Sequence, residues 1–279
     1  MCIRDRLDIE PSELGRNYPN VCSLWGDAMV SLKELIKLIN TNSMQGNQVW
    51  LERVQQVVDE WHSEVRALRY SEAVPMRPER ICKEIEAVLP SDSILVSDTG
   101  HAGIWSGTHI ELHHPSQTYI RAAGSLGWGL PAAIGAKAAR PDVPVVDIAG
   151  DGSFNMTENS LATSVLEDLP VIVFLINNFS LGMVAQWQRT FYEKRMIGID
   201  LKNCPDYVKL AESYGAQGIR AQSMDELEKA IKSGLNSDVA TVIDIPIDPE
   251  EDVLPFVAPG TSLKAVSYTH LTLPTSDLV

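Results

Sequence analysis

Cysteine is scarce and unpaired in this sequence. Cys2, Cys22, Cys82 and Cys204 lie far apart and none forms a Cys-x-x-Cys pair, which argues for reduced structural thiols in a cytosolic protein rather than a disulfide framework. No apolar run approaches the roughly 18 residues that cross a bilayer, and no secretory signal is evident. Positive charge is also short. Lys and Arg number 23 against 37 Asp and Glu, a formal net charge of −14, so neither nucleic acid nor an anionic membrane surface is an expected partner. No Gly-x-Gly-x-x-Gly opens a helix after a first strand, which weighs against a dinucleotide-binding oxidoreductase. The expectation is a soluble protein of the cytoplasm.

What is present supports a folded chain. An apolar share of 44% is ample for a core, a charged share of 22% argues against disorder, and 279 residues allow one large domain or two ordinary ones. The most informative stretch is Gly150-Asp151-Gly152-Ser153, followed by Asn177-Asn178. The apolar run Val145-Val146-Asp147-Ile148-Ala149 precedes the first group and Val171 to Ile176 precedes the second, both reading as strands. Between them Leu161, Ala162, Val165 and Leu166 recur at helical spacing until Pro170. Strand, helix and strand joined so closely make a parallel crossover. Both polar groups then emerge at carboxyl ends of parallel strands, where open α/β sheets bind ligands. A carboxylate and an amide oxygen suit a hard divalent cation such as Mg²⁺, often shared with a phosphate, and glycines let backbone N–H groups approach that phosphate. The alternative is a sheet edge whose Asp and Asn merely cap helices.

Along the chain, residues 1–6 and 266–279 show no pattern that packs, and both ends resemble translated adapter sequence rather than native protein. Residues 7–42 read as the last strand-helix unit of a partial central α/β domain, with Leu32, Leu35, Ile36 and Ile39 on one helix face. Residues 43–75 read as a charged linker helix carrying Trp50 and Trp61, which are expected to pack against a domain or partner. Residues 76–265 hold a complete domain. There Ile81, Ile85, Val88 and Leu89 stripe a helix that Pro78 opens, and Ile94–Val96 and Thr241–Ile245 read as buried strands. A helix runs from Leu130 to Ala139, another opens at Pro205, and a third begins at the capping-box spacing Ser223 to Glu226. Strands alternating with helices predict an α/β fold, a doubly wound parallel sheet with flanking helices.

Gly-Asp-Gly, then 24 residues (153–176), then Asn-Asn resembles the diphosphate-and-magnesium motif of the thiamine diphosphate (ThDP) enzymes. Leu181-Gly182-Met183-Val184-Ala185-Gln186-Trp187 is similar to the Leu-Gly-Met-Val-x-Gln-Trp segment of their acetolactate synthase (acetohydroxyacid synthase) group. Asp8, Glu13, Gly15, Arg16 and Asn17 match that group's Asp-Ile-Asp-Pro-x-Glu-Ile-Gly-Arg-Asn stretch, with Glu10 in place of the second Asp. Gly124-Ser125-Leu126-Gly127 resembles its Gly-x-Met-Gly turn. Val253-Leu254-Pro255 resembles its closing segment. Two places depart: His101-Ala102 replaces a Gln-His pair, and Asn159-Ser160-Leu161 replaces Gln-Glu-Leu.

The resemblance implies ThDP and Mg²⁺ as cofactors, with Asp151, Asn178 and the main-chain carbonyl of Ser180 as metal ligands. It implies cofactor contacts at Gly100, Gly124, Leu126, Gly150, Gly152, Ser153, Asn178, Gly182 and Met183. His101 stands where it could touch the diphosphate or serve as a plain turn residue. Leu126 would wedge between the cofactor rings while the Gly124 carbonyl accepts from the amino group. Val184 and Trp187 would line the substrate pocket, although Met183 and Trp187 at i and i+4 also fit one face of a core helix. The implied reaction is decarboxylation of pyruvate and condensation with a second 2-keto acid such as 2-ketobutyrate. The catalytic glutamate is expected from a separate domain on a partner subunit, so the site would lie at the interface of a homo-oligomer (dimer or tetramer). A regulatory subunit and FAD are further expectations, with Asp8 and Asp27 as candidate flavin contacts or surface turn residues. Other ThDP-dependent decarboxylases or carboligases, and a non-catalytic metal-binding α/β module, are the rival readings.

Overall fold

The chain forms two compact units, Met1–Ser63 and Glu64–Val279, and the computed structural model describes residues 5–42, 46–262 and 266–267. In the first unit strand β1 (Asp5–Asp8) pairs in parallel with β2 (Cys22–Trp25), followed by helix α1 (Ala28–Thr41) and the start of α2 (Gln48–Arg69). Asp5 and Arg6 belong to β1, pairing with Cys22 and Ser23, so the expected separation of residues 1–6 from the strand fails for these two; residues 1–4 lie outside the described residues. Asp27 caps α1 by accepting from the Val30 N–H at 2.9 Å, and Asp8 accepts from Arg6 and the Glu10 N–H. Both candidate flavin contacts are therefore engaged locally, as a helix cap and a turn residue. None of the described residues of this unit is buried, as so short a piece predicts.

The linker helix α2 ends at Arg69, and the second unit begins at Glu64. Residues 43–45 lie outside the described residues, and Trp50 is exposed while Trp61 is half-buried. Pro78 opens α3 (Pro78–Val88), where its missing N–H costs nothing. The elements that follow are β3 (Ile94–Ser97), α4 (His101–His109), β4 (Thr118–Arg121) and α5 (Gly129–Ala139). Next come β5 (Val145–Gly150), α6 (Asp151–Phe154), α7 (Leu161–Leu166), β6 (Ile172–Asn177) and α8 (Gly182–Phe191). Last are α9 (Tyr207–Ser213), β7 (Gln217–Arg220), α10 (Met224–Leu235) and β8 (Thr241–Pro246).

Six strands form one parallel sheet in the order β4-β3-β5-β6-β8-β7. Its faces separate by the two-residue period of a strand. Leu95, Val146, Ile148, Phe174, Ile243 and Ile245 pack on the side of α3, α4 and α10. Val96, Val145, Val173, Leu175 and Val242 pack on the side of α5, α7 and α9. Because both faces are covered, the central strands read as continuous apolar runs rather than alternating ones.

A short antiparallel pair, β9 (Phe256–Val257) with β10 (Val266–Ser267), closes the described chain. The expected non-native tail thus begins with two backbone-paired residues, and 268–279 lie outside the described residues. Among the described residues no helix is long and apolar enough to cross a membrane. Cys22, Cys82 and Cys204 are free thiols, and Cys2 lies outside the described residues.

Candidate functional site

The strand order reverses beside β3. From β3 the chain turns outward to β4, then returns past β3 to β5 on its other side. Loops leaving neighbouring strands part at such a point and open a crevice. A cleft of about 120 Å³ lies there, lined by the loops after β3, β5 and β6 together with Leu126. Gly100, His101, Leu126, Gly150, Asp151, Gly152, Ser153, Asn178, Ser180, Gly182, Met183 and Val184 all line it; Gly124 and Trp187 do not. Trp187 is 44% exposed and meets Phe191 edge-on at 6.4 Å. Among the described residues no Lys or Arg lines the cleft. The N-termini of α4 and α8 open into it, offering unpaired N–H groups and the positive end of each helix dipole.

Asp151 opens α6 directly after β5 and is 2% exposed. Its Oδ1 accepts from the Gly152 N–H at 3.0 Å, while Oδ2 has no partner among the described residues. Burial raises its pKa, the N–H groups of Gly152, Ser180 and Phe179 offset part of the rise, and the result is about 7. The carboxylate therefore faces the turn after β6. Register explains the meeting, since Gly150 pairs with Ile176 across the two strands.

That turn is built by its two asparagines, which point to different places. Asn177 Nδ2 donates to Asp244 Oδ1 at 2.9 Å on β8, and Arg220 donates to the other oxygen of Asp244 at 2.9 Å. Its own Oδ1 accepts from the Phe179 N–H, while Asn178 Oδ1 accepts from the Ser180 N–H at 3.2 Å. Two successive Asx turns hold Phe179 at φ +56°. Residues 199–201 clamp the outer edge through Leu181 N–H to Ile199 O and Leu201 N–H to Phe179 O, each 2.9 Å. Asn178 is thus left to line the cleft with Asp151.

Three supporting groups escaped the sequence reading. Asp98, just after β3, accepts from the N–H groups of Thr99, Gly127 and Gly129 at 2.6, 3.0 and 2.8 Å. It fixes the loop that brings Leu126 to the cleft. Asp147 is fully buried in β5, and neither of its oxygens has a hydrogen-bond partner among the described residues. A Cβ on Gly129 would lie 2.5 Å from Asp147 Oδ1 and 2.9 Å from Asp98 Oδ2, so the two carboxyls face each other under this glycine. Burial and the neighbouring Asp98 push Asp147 far up; burial also raises the Asp98 pKa, against the N–H groups of Gly129, Thr99 and Gly127 that pull it down. Asp147 holds the proton. Its signal was visible as the one charge inside an apolar strand. Gln186, the third, is buried on α8 and contacts His101 at 2.8 Å; the Leu-Gly-Met-Val-x-Gln-Trp segment includes it, but no role was attached to it.

These groups suit a cation shared with a diphosphate. Asp151 Oδ2 is a buried acceptor without a donor, Asn178 Oδ1 keeps a second lone pair, and the Ser180 carbonyl belongs to the same turn. Among the described residues no group of three or more His, Cys, Asp or Glu could hold a metal, so such a site depends on amide and main-chain oxygens.

The cleft defines a cofactor-binding α/β class, and comparison with known proteins gives it a family. The profile described as "Thiamine pyrophosphate enzyme, C-terminal TPP binding domain" matches residues 98–245, and the chain belongs to that family. It is similar, more particularly, to acetolactate synthase large subunits. It is 34% identical over 275 residues to the "Probable acetolactate synthase large subunit" of Methanococcus aeolicus, covering 92% of this chain and 45% of that protein. It is 34% identical over 259 residues to the isozyme 2 large subunit of Escherichia coli K12, covering 92% and 45%. The mitochondrial acetolactate synthase catalytic subunit of Saccharomyces cerevisiae is 31% identical over 265 residues, covering 92% and 37%. The chain spans less than half the length of these relatives.

Asp147 makes stability depend on pH with a defined sign. A carboxyl whose folded pKa is raised contributes stability that is complete below its unfolded pKa and is lost as pH rises toward the folded value. Relative to Asp147→Asn, the parent should lose about 1.4 kcal/mol per pH unit from about pH 4 upward. Urea midpoints of the two proteins across pH test this, and parallel pH profiles would contradict it.

Proposed function

We propose that this chain carries the cation- and diphosphate-holding half of an acetolactate synthase-type site, acting on pyruvate and a second 2-keto acid. The observation that carries the reading is Asp151 Oδ2, buried and, among the described residues, unpartnered in a cleft that no Lys or Arg lines. A diphosphate there needs positive charge from elsewhere, and an Mg²⁺ held by Asp151, Asn178 and the Ser180 carbonyl would supply it. The similarity to acetolactate synthase large subunits supports the choice of reaction.

In this reading the N–H groups at the starts of α4 and α8 receive phosphate oxygens, as helix N-termini do. Gly150, Gly152 and Ser153 let the backbone approach closely. Leu126, held by Asp98 through Gly127 and Gly129, braces the cofactor's bent shape. Met183 and Val184 wall the reacting end, and Trp187 selects the second acid from the edge of the cleft. When bound, ThDP supplies the electron sink for decarboxylation and carbon–carbon bond formation. Among the described residues no glutamate lines the cleft, and in this reading the catalytic glutamate comes from a separate domain of a partner subunit. The replacement of a Gln-His pair by His101-Ala102 favours a second reading, another ThDP-dependent decarboxylase or carboligase.

Calorimetry with ThDP and Mg²⁺ on the parent and Asp151→Ala tests the cation assignment. Loss of a direct ligand should weaken binding beyond the ~10–100-fold seen when outer-shell partners are removed; equal binding by both proteins removes the assignment. Extended to the length of its relatives and given pyruvate, the protein should form acetolactate; aldehyde release instead would establish the second reading.

A further inference from the structure

Asp244 carries a carboxylate into β8, a strand buried from Thr241 to Ile245, and its side chain is 1% exposed. A charge so placed is costly unless it is both paired and hydrogen-bonded. Its cation is Arg220, directly opposite on β7, whose Nε donates to Asp244 Oδ2 at 2.9 Å. Asp206 holds the guanidinium from the other side, accepting from its terminal nitrogen at 2.9 Å while it caps α9 through the Val208 N–H. Arg220 is therefore fixed by two carboxylates although it lies partly in solvent.

The other oxygen, Asp244 Oδ1, receives Asn177 Nδ2 at 2.9 Å. Register brings them together: Leu175 pairs with Asp244, and Asn177 lies two residues further along β6, on the same face. A carboxylate oxygen only accepts, so it fixes which end of the Asn177 amide meets it. The amide oxygen is turned the other way and accepts from the Phe179 N–H at 3.1 Å. An amide rotated by half a turn would set oxygen against oxygen at Asp244 and N–H against N–H at Phe179. The orientation present winds the chain through Phe179 at φ +56° and brings Asn178 and Ser180 to the cleft beside Asp151.

We propose that Asp244 and Arg220 are positioning residues for the cation: their ion pair orients the Asn177 amide, which winds the turn that carries Asn178 Oδ1 and the Ser180 carbonyl. This rests on the reading of Asp151, Asn178 and Ser180 as Mg²⁺ ligands. Neither Asp244 nor Arg220 lines the cleft, so both act through Asn177, as outer partners orient inner ones in metal sites. The chain of contacts runs from the start of α9, through one guanidinium and one buried carboxylate, to the turn after β6.

The test titrates Mg²⁺ by calorimetry into the full chain in excess ThDP. Arg220→Met leaves Asp244 buried without its cation and should raise the Mg²⁺ Kd about 10-fold or more. Asp244→Asn should do the same, because its amide must set an N–H against either Arg220 or Asn177. In the double variant Arg220→Met/Asp244→Asn that conflict is gone, and the new amide can turn its oxygen to Asn177 Nδ2. Its Mg²⁺ affinity should lie closer to the parent's than that of either single variant, whereas losses from a merely structural role would accumulate. Circular dichroism checks folding; should Asp244→Asn not fold, Arg220→Met and the double variant still decide. Unchanged Mg²⁺ affinity in the single variants, or a double variant no better than Arg220→Met, overturns the proposal. If Asp151→Ala binds Mg²⁺ as the parent does, the ligand reading itself fails and takes this one with it. If Asp151→Ala loses Mg²⁺ while the Arg220 and Asp244 variants match the parent, the ligand reading stands and the positioning role alone fails.

Discussion

The second unit is arranged around one buried carboxylate with an unsatisfied oxygen. Taking a carboxylate out of water costs several kcal/mol unless something opposite in sign or a set of N–H groups meets it. For Asp151 the N–H groups of Gly152, Phe179 and Ser180 offset part of that cost, and burial still leaves its pKa near 7. The surrounding backbone is committed to this arrangement. β5 ends at Gly150, the turn after β6 is wound by two asparagines, and Phe179 is kept at φ +56° by a second strand-like segment at 199–201. A bulky residue in that conformation costs on the order of 1 kcal/mol or more, which the interlocking hydrogen bonds offset.

A second carboxyl pair supports the opposite wall. Asp98 is met by backbone N–H groups that offset part of its burial, and Asp147 beside it, pushed far up by burial and by Asp98, keeps a proton. Gly129 leaves the space in which they meet, since any side chain there would strike both. Through Gly127 and Gly129 this pair sets the path of the loop carrying Leu126. Fold stability and cofactor geometry thus share the same atoms, so a change at Asp98 acts on both.

The central crossover was legible because its signals are strong and local. Buried parallel strands read as apolar runs, and Gly-Asp-Gly and Asn-Asn stand out at their ends. The edge strands β4 and β7 were not legible. Thr118–Arg121 and Gln217–Arg220 are short and half-exposed, with no apolar run to announce them. In the cleft, residues announced by motif were found together, whereas Gly124 and Trp187 stay off its wall. The supports of the site were hidden for a different reason. Asp98 and Gly129, His101 and Gln186, and Asn177 and Asp244 are each far apart in sequence, and only the sheet order brings them together. Asp147 is the exception, a lone charge in an apolar strand whose oddity could have been read as burial beside a partner.

Anomalous scattering from a crystal of the chain grown with ThDP and Mn²⁺ in place of Mg²⁺ addresses the central claim most directly. The expected result is one strong peak within bonding distance of Asp151 Oδ2, Asn178 Oδ1 and the Ser180 carbonyl, with diphosphate oxygens completing the shell. A diphosphate bound in the cleft with the metal elsewhere, or no peak between residues 151 and 178, would contradict it.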